Sequence, residues 1–298
     1  MQNYKRSFGS RLFDTANVGL MIFLCVIMVY PLLYEAFLSL SEPEKLFGFN
    51  GFLLTSRGFT WQNYRRVFST KLVLSGLKNT AFLMTVGLGI NMLMTCVAAY
   101  FLTRTKTMLY RPVMIMILIT MYFGGGLIPW YLVLKDLGFI DSIFVMTVPG
   151  LLSTYNMILM RNYFGTIPES LPESARIDGA HEFRILIQII IPLAAPIIAT
   201  ISLFYAVGFW NEWWNAMLFL AKRDDLYPLQ LLLRKIVIES TLDLGNEMAN
   251  EFKNANINVY GVGMQMASVT VATIPIMCVY PFVQKYFASG IMLGAVKS

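Results

Sequence analysis

Residues 204–220 read FYAVGFWNEWWNAMLFL and set one carboxylate, Glu212, in otherwise apolar sequence. Three tryptophans surround it, Trp210, Trp213 and Trp214, with Asn211 and Asn215 beside them. Indole faces pack against the C–H faces of sugars, while amides and a carboxylate take hydroxyl groups. The group therefore suits a saccharide path with apolar walls and few polar anchors. At helical spacing Trp214 lies one turn past Trp210 and Trp213 three residues on, which predicts one broad shared face. Two other readings fit the same residues. Tryptophans also form belts at membrane interfaces, and an ionisable residue at membrane depth also suits a proton site.

A second chemical stretch, 168–196, reads PESLPESARIDGAHEFRILIQIIIPLAAP. It gathers Glu169, Glu173, Asp178 and Glu182 around Arg176 and Arg184, and holds the only histidine, His181. A membrane-embedded enzyme would need converging catalytic side chains, and His181 stands alone beside a turn. Cys25, Cys96 and Cys278 all fall in apolar runs, where they act as small apolar side chains. There is no Cys/His cluster with metal spacing. The chain also lacks the G-x-x-x-x-G-K-[ST] phosphate loop, so it is expected to bind no ATP or other cofactor itself.

The elements that carry these residues follow from composition. Of 298 residues 57% are hydrophobic and 13% charged, where a soluble domain carries about 25% charge. A spanning helix needs roughly 20 apolar residues. Uncharged windows of that order run over 15–34, 79–103, 112–134, 142–160, 185–211 and 254–284. They predict an all-α integral membrane protein with six transmembrane helices and both termini on one side. Barrel strands would alternate over short stretches, and these windows do not. The net charge of +6 suits loops facing anionic lipid and calls for no nucleic acid.

A raw count of basic residues does not decide orientation. Locally, the loop 104–111 has Arg104, Lys106 and Arg111 and no acid, whereas 135–141 has Lys135 against Asp136 and Asp141. With Lys5, Arg6 and Arg11 ahead of the first window, an uncleaved signal-anchor, this predicts cytoplasmic termini. Segments 41–78, with the aromatic FTWQNYRRVF, and 222–253 then lie outside, and 168–184 lies inside.

Within 168–184, Ser170-Leu171-Pro172-Glu173 has the form of a capping box. Asp178-Gly179 ends that short helix, and a second helix is predicted from about Ala180 into the membrane. Pro192 and Pro196 would kink it. Ser174, Ala175, Gly179 and Ala180 leave a surface that another protein can approach closely. In the third window Gly124-Gly125-Gly126 and Pro129 predict a break near the outer end, with Tyr122 and Trp130 as further path candidates. Asn91 reads as an interhelical hydrogen bond.

The run E-S-A-x-x-D-G-A followed by I-P-L and a further proline resembles the cytoplasmic signature of bacterial ABC importer permeases. Glu173, Ala175, Asp178, Gly179, Ala180, Ile191 and Pro192 match it, and Ser174 replaces the usual second alanine. Six spans, NEWWNAMLF after the signature and the terminal GIMLGAVKS resemble carbohydrate-uptake permeases, within them the subgroup importing oligosaccharides from complex polysaccharides. The resemblance implies a cytoplasmic N-terminus over 1–14 and a permease domain over 15–298 in a bacterial cytoplasmic membrane. It also implies a cytoplasmic coupling helix between the fourth and fifth spans, where Glu173, Ser174, Ala175, Asp178, Gly179, Ala180 and His181 meet an ATPase. The implied partners are a second homologous permease, an ABC ATPase dimer carrying ATP and Mg, an extracellular sugar-binding lipoprotein, membrane lipid and an oligosaccharide. An ion-coupled secondary transporter using Glu212 is the rival, but no inverted repeat is evident. On the motif alone a non-sugar solute, such as an amino acid, stays open.

Overall fold

The computed structural model describes residues 8–46, 49, 51–103, 108–241 and 261–290. Lys5, Arg6, Arg104, Lys106, the later part of the 222–253 segment and the tail after Gly290 lie outside the described residues.

The apolar windows become helices because backbone polar groups in hydrocarbon must pair within the segment. In chain order these are α1 (Phe8–Ser39), α2 (Pro43–Leu46), α3 (Gln62–Ser69), α4 (Lys71–Phe101), α5 (Tyr110–Tyr122), α6 (Leu127–Asp136) and α7 (Thr154–Phe164). There follow α8 (Ser170–Ile177), α9 (Glu182–Leu193), α10 (Ala195–Trp210), α11 (Trp214–Phe219), α12 (Leu229–Thr241) and α13 (Gly261–Gly290). Helix α4 contains a wider π turn over Leu83–Gly87, and α9 another over Leu186–Ile190.

Among the described residues three helices are long and apolar enough to cross a membrane alone, Gly9–Ser39, Lys71–Phe101 and Val262–Val279. The other three predicted windows are bent pairs. Between α5 and α6 the chain turns by 119°, between Ile143–Gly150 and α7 by 46°, and between α9 and α10 by 89°. The glycine break was expected near the outer end of a span, but it falls between helices of 13 and 10 residues. Its cause is Gly126 at φ 84°, a conformation that side-chain-bearing residues seldom adopt. The 89° turn sits at Ala194 between Pro192 and Pro196. Each proline removes one helical donor, and the fold takes a corner where sequence suggested a kink.

Contacts group the chain into two compact units, one formed by the chain up to Thr70 with Ile236–Ile274, the other by Lys71–Lys235 with the chain from Pro275. In the first, Leu38, Leu46 and Leu53 make a small core with Tyr34, Phe37 and Met266. Buried Asn63 donates from Nδ2 to the carbonyls of Ser39 and Ser41 at 2.9 and 3.0 Å, tying α3 to the end of α1. A Cβ on Gly263 would sit 2.7 Å from that amide, so glycine is what lets α13 approach.

In the second unit α4, α7 and α10 pack together around Leu83, Met157, Met160 and Ile201, all buried. A polar knot crosses this core. The Tyr205 hydroxyl bonds Thr95 Oγ1 at 2.8 Å and accepts from the Ser153 amide at 3.1 Å. Asn91 Nδ2 donates to the Gly150 carbonyl at 3.0 Å. Both bonds serve the backbone freed at the 46° break, and the Asn91 bond is the interhelical link its sequence position predicted. Tyr205→Phe leaves the Ser153 amide unpaired and is expected to cost about 1–3 kcal/mol. Thermal unfolding of the solubilised protein checks this.

Candidate functional site

Helix α8 begins at Ser170, the residue predicted to cap it, so the cap position falls one residue earlier, on Glu169. Glu169 is already helical and offers no side-chain cap, so Ser170 lies inside the first turn. A cap needs a residue outside helical geometry, and the Ser170–Glu173 capping box does not form. Ser174 Oγ instead donates back to the Ser170 carbonyl at 2.8 Å. The other end matches the sequence reading. Gly179 takes φ 83°, its amide donates to Arg176 O at 3.0 Å, and the Ala180 amide donates to Ala175 O at 2.9 Å. Those two bonds are a Schellman closure, which leaves the last carbonyls satisfied.

The next helix starts at Glu182, two residues later than predicted, and His181 caps it. Its Nδ1 accepts from the Arg184 amide at 3.1 Å. His181 was expected at an ATPase contact; its side chain is exposed but this nitrogen is engaged. Glu173, Ser174, Asp178 and Gly179 are also exposed, with Ala175 and Ala180 half-buried. Large apolar side chains stand out around them: Leu171 is 43%, Phe183 56% and Ile177 86% exposed.

Three residues that sequence reading did not join meet beneath this element. Arg176 Nε donates to Glu182 Oε1 at 2.7 Å, and the Tyr100 hydroxyl makes a short hydrogen bond to Glu182 Oε2. The hydrogen bond to Glu182 raises the Arg176 pKa above the ordinary guanidinium value. Arg176 Nη2 is buried with no hydrogen-bond partner, which costs about 1–3 kcal/mol. The three line an open groove of about 550 Å³ with Val97, Phe101, Phe183 and Leu186. Below Tyr100, Arg161 closes the end of α4, giving Nε to Leu102 O at 3.1 Å and Nη2 to the Tyr110 hydroxyl at 2.7 Å.

The tryptophan cluster is not one helix face. Helix α10 ends at Trp210, residues 211–213 are non-helical, and α11 starts at Trp214. Asn211 Nδ2 closes the first helix on Val207 O at 2.9 Å. Glu212 opens the second: Oε1 accepts from the Asn215 amide at 2.9 Å and Oε2 from Asn215 Nδ2 at 3.0 Å. The polar residues that marked the site therefore break the helix that was predicted to present it. Trp213 and Trp214 meet edge to face at 5.4 Å, and the Arg234 guanidinium lies 4.0 Å over the Trp213 ring. Trp210 and Trp213 are half-buried and Trp214 is exposed.

Tyr122 ends α5 and Trp130 lies in α6, both exposed. Tyr131, not Trp130, reaches the segment after Glu212, stacking on Phe219 at 5.4 Å and 12°. Asp141 completes that joint from a left-handed φ of 57°, a conformation aspartate tolerates better than most. Its amide donates to Phe219 O at 2.8 Å and its Oδ1 accepts from the Lys222 amide at 3.1 Å. Tyr100, Arg234 and Tyr205 carried no local signal, because their partners stand tens of residues away in sequence.

Comparison with known proteins places the arrangement. Residues 81–293 match the family described as binding-protein-dependent transport system inner membrane component. The chain is 38% identical to the polygalacturonan/rhamnogalacturonan transport system permease protein YtcP of Bacillus subtilis, over 97% of this chain and 99% of that one. It is 34% identical to protein LplC of the same organism, over 97% and 96%. Among solved structures, a chain of a bacterial ABC transporter involved in the import of the acidic polysaccharide alginate superimposes with a TM-score of 0.86. That chain is 32% identical, and the match covers 96% of this chain and all of that one. With a family match across most of its length and a full-length relative above one-third identity, this chain belongs to the binding-protein-dependent transport system inner membrane components.

Proposed function

We propose that the chain is one permease subunit of an ATP-driven importer in a bacterial cytoplasmic membrane, and that its cargo is an oligosaccharide cut from an acidic polysaccharide. The observation that carries the cargo is the full-length similarity to a polygalacturonan/rhamnogalacturonan permease, supported by the alginate-importer chain. The chain pairs with a homologous permease, and two ATPase subunits holding ATP and Mg supply the energy. An extracellular binding protein delivers the sugar. Six spans, with each bent pair counted as one, would leave both termini on one side, and the basic residues ahead of the first span and in the 104–111 loop support the cytoplasmic side.

In this reading α8 is the coupling helix. Its exposed Leu171 and Ile177 seat it in the ATPase, and Glu173, Ser174, Ala175, Asp178, Gly179, Ala180 and His181 form the contact and its turn. Trp210, Asn211, Glu212, Trp213, Trp214 and Asn215 line the sugar path, with Tyr122 and Trp130 on its approach. Asn215 holds Glu212 from two sides, which suits an anchor for hydroxyl groups better than a proton carrier.

The test is uptake of a labelled oligogalacturonide into proteoliposomes holding the permease pair, ATPases and binding protein. Uptake is expected to need both ATP and binding protein. Uptake without ATP that follows a proton gradient overturns the reading and returns Glu212 to the role of a proton site.

A further inference from the structure

Helix α8 is joined to α9 by the chain itself, through four residues that include one glycine turn. It is also joined by side chains to a third element far away in sequence. Glu182, the first residue of α9, holds Arg176 of α8 on one carboxylate oxygen and Tyr100, near the end of α4, on the other. We infer that Glu182 is a positioning residue, a clamp through which displacement of α8 reaches α4 directly as well as α10 through α9. This rests on the reading of α8 as the ATPase-coupling helix.

The form of the clamp supports transmission over stabilisation. The Arg176 side chain is 30% exposed and that of Glu182 54%, so solvent screens their ion pair and little folding energy depends on it. Of the guanidinium nitrogens Nε donates to Glu182, while Nη2 is buried without a hydrogen-bond partner. A two-point fork would fix the relative angle of α8 and α9. A single point holds their separation and leaves the angle to the backbone of the glycine turn. The Tyr100 end is the firm one: its residue is 8% exposed, next to buried Ala99 and Leu102. The clamp is a hinge on the α8 side and a fixed anchor on the α4 side.

The test uses the reconstituted complex and reads sugar imported per ATP hydrolysed. Tyr100→Phe removes one oxygen and keeps the ring, and Glu182→Gln removes the charge. Each is expected to lower that ratio about fivefold, the low end of ordinary coupling between sites. Binding-protein-stimulated hydrolysis, co-purification with the ATPase and the unfolding temperature should stay at wild-type values. The double variant is expected to be no worse than the poorer single one, because both act through one carboxylate. An unchanged ratio overturns the clamp. So does a parallel fall in hydrolysis and uptake, which would mark a docking contact instead. Should Glu182→Gln fail to assemble, Tyr100→Phe decides alone. A wild-type complex that imports without ATP sinks the importer reading itself, and the clamp with it.

Discussion

Gly179→Pro is expected to lower ATP-driven uptake by the assembled importer about a hundredfold, each 1.4 kcal/mol being tenfold. The loss has two sources. Gly179 sits at φ 83°, and a proline ring is confined near −65°. The substitution also deletes the amide that donates to Arg176 O, and with the turn gone the Ala180 amide loses Ala175 O. Each bond contributes about 0.5–1.5 kcal/mol, and helix α8 no longer stops where it does. Gly179→Ala separates conformation from space. Nothing lies within 4 Å of an added Cβ there, so only the left-handed backbone is penalised, by about 1–2 kcal/mol. That variant should keep a measurable fraction of uptake. Equal activity in both variants would show that the turn geometry is irrelevant to transport. Co-purification of the ATPase separates lost coupling from lost assembly.

The second large effect is on stability, at Gly87→Leu. An added Cβ would meet Phe209 Cζ and Thr147 Cγ2, both at 2.9 Å. Three further carbons have no room in a site where α4 passes at its π turn. Overpacking of this kind costs about 1–3 kcal/mol. Phe209 adjoins Trp210, so strain relieved there displaces the break that holds Glu212. The matched control is Gly89→Leu two residues on, where nothing lies within 4 Å and the change should stay within about 0.5 kcal/mol. A clear drop in unfolding temperature for the first and none for the second is the expected pair. Equal drops would mean that glycine is needed for backbone freedom along α4 and not for this contact.

The helical class was legible because length and apolarity are local properties. So was the stop after α8: Asp178-Gly179 needs only its own backbone to make its turn. What escaped was every feature set by a partner elsewhere in the chain. Whether a serine caps depends on where the preceding residue folds: a helical Glu169 leaves Ser170 no capping role in α8, and His181 caps the next helix, α9. The tryptophan face failed for a related reason. Spacing assumes an unbroken helix, yet Asn211 and Glu212 carry side chains that satisfy helix ends, and they end two. Glu182 was recognised as charge but not as a joint, since Tyr100 stands 82 residues before it.

The corner at Ala194 gives the molecule a mechanical ratio. Helix α9 has 12 residues, an arm of about 18 Å at 1.5 Å per residue. Helix α10 leaves it at 89°. A right-angled arm of this kind is a bell crank, in which a push across the end of one arm becomes a swing of the other. Turning the pair by about ten degrees carries the Glu182 end some 3 Å sideways, given that arm length. The far end of α10, a longer arm, sweeps further still, and Trp210 is the residue at its tip.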